Sequence, residues 1–137
     1  MNNEKDNVYD LVEDFYAHDE GWNTLLRQEY AEGFLRMEAW KGKKNSDLYR
    51  SWDNLTMLCL YLGSAETFLG DMNADDFIDC IAWCGRNISE FTPDYKNTQD
   101  FLETCDGLFK YLKGKNAISN DTVPGTCLLY TSPSPRD

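Results

Sequence analysis

The residues whose types and spacing could carry chemistry are few. Cys80 and Cys84 lie one helical turn apart, which sets two potential thiolate ligands on one helix face. A zinc centre needs four donors, and the Cys-x-x-Cys pair that usually starts one is missing. Together with Cys59 and Cys105, which also fall inside apolar stripes, they read as free core thiols. His18 is the sole histidine, so any imidazole metal site or Cys-His nucleophile would rest on one loop-flanking position. It reads as a surface or capping residue.

Asp71-Met72-Asn73-Ala74-Asp75-Asp76 begins like a calcium loop, with oxygen donors at its first, third and fifth positions. The match then fails, because Asp76 stands where the sharp turn needs glycine and Ala82 where a bidentate glutamate is required. Helix capping by Asn73 and Asp76 accounts for the same residues. The carboxylate pairs Glu13/Asp14 and Asp75/Asp76 read as solvated helix faces. No Walker loop, no dinucleotide-binding glycine pattern and no Gly-x-Ser-x-Gly elbow is present. Asn54, Asn87 and Asn120 fit the N-glycosylation pattern, which is inert without secretion. These residues provide no catalytic set, no cofactor site and no metal site.

Four tryptophans, Trp22, Trp40, Trp52 and Trp83, could build a core or a contact surface. Trp52 and Trp83 lie in dense apolar stretches and read as core. Trp40 precedes a lysine loop and is the candidate partner anchor, with Lys43 and Lys44 beside it.

The elements that would hold these residues are helical. Val8, Leu11, Val12, Phe15 and Tyr16 form the stripe of an amphipathic first helix. Trp22, Leu25, Leu26, Tyr30, Phe34 and Met37 continue as a second, with Gly33 placed to kink it. After the connector Lys41 to Ser46, in which Ser46 or Asp47 can cap, Leu48 to Leu62 mark a third and most buried helix ending at Gly63. Between Gly63 and Gly70 a further helical turn is possible. Asn73 opens a fourth helix that Gly85 would close, and Thr92-Pro93 opens a fifth that runs to Leu112 and stops at Gly114. Nothing alternates like a strand. The expectation is an all-α fold, a single small bundle of about five helices. Residues 1–45 would supply an N-terminal helical pair, 46–118 a helical core packed with it as one domain, and 119–137 a loop and tail.

With 13 Lys and Arg against 24 Asp and Glu, the formal charge is −11, which disfavours binding to nucleic acid and anionic membranes. The polar N-terminus carries no secretory leader and no apolar run spans a bilayer, so the chain reads as cytoplasmic.

Two resemblances add to this. Cys127-Leu128-Leu129-Tyr130-Thr131-Ser132-Pro133-Ser134-Pro135-Arg136-Asp137 resembles, residue for residue, a translation of the adapter DNA used in sequencing libraries. The resemblance implies that this tail is not native and that the reading frame is truncated. Tyr49 to Leu62, Phe68-Leu69-Gly70, Asn73 to Cys84, Thr92-Pro93 to Leu112 and Val123-Pro124 follow one another in a further pattern. In this, residues 46–124 resemble the helical core-binding domain of tyrosine recombinases. That resemblance implies a DNA-binding module, with Lys43, Lys44, Arg50, Arg86 and Lys96 as phosphate contacts and a catalytic domain beyond the tail. The residues themselves favour an acidic, non-catalytic helical domain that binds another protein or regulates it; an acidic mimic of nucleic acid is a narrower form of that reading.

Overall fold

A computed structural model describes residues 7–18 and 21–118. The adapter-like tail, Asn120 and Val123-Pro124 lie outside the described residues. The chain is all-α: α1 (Val8–His18), α2 (Trp22–Leu25), α3 (Gln28–Trp40), α4 (Asn45–Ala65), α5 (Ala74–Asn87) and α6 (Tyr95–Gly114), with a 3₁₀ turn at Leu69–Asp71. It divides into two compact units, Met1–Cys59 and Leu60–Asp137, so the division falls inside α4 and not at the lysine connector.

In the first unit Asn7 starts α1 by accepting the Tyr9 amide on its side chain at 2.7 Å. Val8, Val12 and Tyr16 are buried along one face of this helix. Leu11 is 38% exposed and Phe15 only half-buried, so the apolar stripe is wider than the core it meets. α1 lies against α3, where Arg36 stands over the Tyr9 ring at 4.1 Å. Ala31, Phe34 and Leu35 are the buried positions of α3, and Leu48, Trp52, Leu55 and Leu58 are among those of the first part of α4.

The expected second helix is two. The break is at Leu26 and Arg27, both extended, and not at Gly33, over which α3 runs unbroken. Side chains supply the hydrogen bonds that the helix gives up there. The Tyr16 hydroxyl donates to the Leu26 carbonyl at 2.6 Å, and the Gln28 amide donates to Asn23 Oδ1 at 2.8 Å. With those groups satisfied, Leu26 turns inward and is buried.

In the second unit the glycines again fall short as boundary markers. α4 passes through Gly63 to Ala65, and the left-handed residue at its end is Glu66, φ 55°. The Thr67 amide then closes on the Leu62 carbonyl at 3.1 Å. α5 opens as expected: Asn73 Oδ1 accepts the Asp76 amide at 3.0 Å and Asp76 Oδ2 accepts the Asn73 amide at 2.9 Å. It continues past Gly85 to Asn87, and the ring of Pro93 occupies the space a side chain at Gly85 would need. α6 is capped by Asp94, whose Oδ1 accepts the Asn97 amide at 2.8 Å, and not by Thr92. Phe77, Cys80, Ile81 and Cys84 of α5 and Phe101, Leu102, Cys105, Leu108, Phe109 and Leu112 of α6 are all buried.

Candidate functional site

Trp40 is the last residue of α3 and is 87% exposed. The turn after it is tightly built. The Gly42 amide donates to the Ala39 carbonyl at 3.0 Å, and the Lys43 amide reaches the Glu38 carbonyl at 3.0 Å. With Gly42 at φ 108°, this is the paired closure of a Schellman cap, which requires a residue without a Cβ cost in the left-handed region. Lys43 folds back to pair with Glu38 at 3.4 Å, while Lys41 and Lys44 are exposed. A large apolar side chain is thus presented on a capped helix end, with lysines following it in the chain and its backbone already ordered.

The first unit also holds a cleft of about 470 Å³ between α1, α2 and α4. Its apolar wall is formed by Leu11, Phe15, Trp22 and Trp52, and its acidic part by Asp14 and Asp53. Phe15 stacks on Trp22 with centroids 5.0 Å apart and an interplanar angle of 20°. It meets Trp52 edge-on at 5.3 Å and 87°. Partial burial raises the Asp53 carboxyl above its ordinary range. A second depression over Asn23, Arg27, Gln28, Glu29 and Glu32 is larger, about 680 Å³, but is internally paired. Arg27 meets Glu29 at 3.5 Å, and Gln28 Nε2 donates to Glu32 at 3.2 Å.

The Asp53 shift has a sign that can be measured. The folded state holds this proton more tightly than the unfolded chain, so stability falls as pH rises through the raised value and the penalty is complete at neutral pH. Asp53→Asn is therefore expected to be more stable than the parent at pH 7, by no more than about 0.5 kcal/mol after solvent screening. That gain disappears below the ordinary value of 3.8. Urea titrations at neutral pH and near pH 3 check both halves; a gain that persists at pH 3 would remove the carboxyl as its cause.

The other sequence candidates are placed as follows. Cys59, Cys80, Cys84 and Cys105 are free and buried; burial pushes the Cys59 thiol up to about 12 and the Cys80 thiol well up. None of them is accessible to a substrate. His18 is exposed at the end of α1 and lines the cleft. Asp71 to Asp76 is spent on the 3₁₀ turn and the α5 cap. Among the described residues no group of His, Cys, Asp and Glu is gathered to hold a metal ion, and no helix is long and apolar enough to cross a membrane. Arg50 on α4, Arg86 near the end of α5 and Lys96 in the first turn of α6 are exposed. Asn54 is buried within α4 and Asn87 is exposed. Trp52 is buried, whereas Trp83 is only half-buried.

Sequence reasoning did not assemble the cleft. Its signal was present in the double-width stripe of α1, where Leu11 and Phe15 extend beyond what one packed face buries. Comparisons of the chain with protein families, with curated proteins and with solved structures each return no match.

Proposed function

We propose that this chain is a non-catalytic helical protein-interaction domain that docks through Trp40 and the lysine turn behind it. The observation that carries the reading is the 87% exposure of Trp40 on a capped helix end. Leaving so large an apolar surface in water is unfavourable, and tryptophan is the residue most enriched at interface hot spots. Lys41 and Lys44 beside it suit a partner whose rim is acidic.

Trp40→Ala separates this from a fold role. The indole makes little of the core, so folding stability should move by less than about 0.5 kcal/mol. Partner affinity should fall by about 2–4 kcal/mol, the cost of truncating a hot-spot tryptophan. Paired affinity captures with the parent and the variant, followed by titration of any protein that only the parent retains, make the comparison. Identical retention by both would end the reading.

The exposed Lys44, Arg50, Arg86 and Lys96 support a second reading, a DNA-binding module of the recombinase type. Its mark is DNA affinity that falls steeply with salt; no binding at low salt removes it.

A further inference from the structure

The aromatic cleft of the first unit is a different surface from the Trp40 turn, and its chemistry is more specific. Three aromatic rings, Phe15, Trp22 and Trp52, meet in one groove with two carboxylates, Asp14 and Asp53. Leu11 extends the apolar wall and is itself 38% exposed. An apolar groove alone would take any greasy side chain. Carboxylates at its edge repel anions and leave a neutral apolar guest facing unneutralised charge, whereas aromatic faces attract cations through the ring quadrupole. The guest that satisfies both sets of groups is a cation with a flat apolar face.

We infer that this cleft is a receptor for an arginine side chain of a partner protein, set against the half-buried Phe15 and Trp22 rings, with the buried Trp52 ring as the floor beneath them, and neutralised by Asp14 and Asp53. The inference rests on the protein-interaction reading but uses different residues. Arginine fits better than lysine for a stated reason: guanidinium is planar and weakly hydrated, so it stacks on rings at a lower desolvation cost and offers forked donors to carboxylates. The cleft, about 470 Å³ and open to solvent, accepts an extended side chain together with part of its backbone. An open groove of this kind suits a side chain carried by a protein more than a small molecule, which is normally enclosed on most of its surface.

The test uses the full chain and three short capped peptides that differ at one central residue: arginine, its neutral isostere citrulline, and lysine. Binding is read from the indole N–H resonances of Trp22 and Trp52, assigned by substitution. The arginine peptide should shift both resonances saturably and leave that of Trp40 in place. Citrulline should bind at least about fivefold more weakly, and lysine more weakly than arginine, since the charge and the planar face each contribute. Asp14→Asn with Asp53→Asn, which keeps the side-chain shapes, should lower arginine affinity by about fivefold or more. Equal binding of arginine and citrulline, equal binding of arginine and lysine, no shift at either indole, or indifference to the double asparagine variant would each overturn the assignment. Trp40→Ala should leave arginine binding unchanged, so loss of partner capture in that variant and loss of peptide binding in the asparagine variant report on separate surfaces.

Discussion

Phe109→Ala is expected to cost about 3–5 kcal/mol. The Phe109 ring is 1% exposed and meets the Phe77 ring edge-on, with centroids 5.3 Å apart and an angle of 68°. Phe77 is fully buried on α5, so the pair joins α5 to α6 within that unit. Truncation removes the transfer free energy of the ring, leaves a cavity that two helices cannot close without moving, and discards the edge-to-face attraction, itself about 0.5–1.5 kcal/mol. Domains of this size have total stabilities of about 5–15 kcal/mol, so one such change consumes a large share. Urea titration followed by far-ultraviolet circular dichroism measures it. The control is Phe68→Ala, at a residue 56% exposed, where the loss should stay below about 1 kcal/mol. Similar losses at both positions would mean that Phe109 is not a core residue. A double-mutant cycle with Phe77→Leu isolates the ring-to-ring term.

Those buried positions were legible in advance because apolar residues three and four apart have only one way to be removed from water on a helix. Phe77, Cys80, Ile81, Cys84 and the Phe101 to Leu112 stripe are buried as their spacing predicts. The Asn73–Asp76 capping box was legible for a similar reason: both of its bonds are local, so the two residue types at that spacing are nearly sufficient. Boundaries were less legible where the deciding group comes from elsewhere in the chain. The break at Leu26 depends on the Tyr16 hydroxyl, ten residues away, and on Asn23. The end of α4 is set by Glu66 adopting a left-handed conformation that glycine would adopt at less cost. The exposure of Trp40 could be anticipated from its lysine neighbours. The cleft could not be named, because Phe15, Trp22 and Trp52 belong to three helices and only folding brings their rings together.

Gly85 is where the same limit has a measurable consequence, and Gly85→Ala should run against ordinary expectation. Replacing a glycine inside a helix by alanine normally adds about 1 kcal/mol of stability, because alanine has less backbone entropy to lose. Gly85 lies inside α5, two residues before its end, and a Cβ there would stand 2.8 Å from Pro93 Cγ and 3.3 Å from Pro93 Cδ. The proline ring is closed onto the backbone and cannot swing aside as a long side chain would. Moving it also moves the start of α6. Thr92 accepts Asn97 Nδ2 at 2.9 Å and the Asp94 amide at 2.8 Å, and Asp94 is the α6 cap. Overpacking of this kind costs about 1–3 kcal/mol, which outweighs the entropic gain, so the variant should be destabilised. Adding Pro93→Ala removes the ring and should recover part of the loss, making the pair of substitutions clearly non-additive. Thermal and urea unfolding of the two single variants and the double variant decide the sign. A Gly85→Ala protein that melts above the parent would show that the helix does not pass Gly85 against the Pro93 ring.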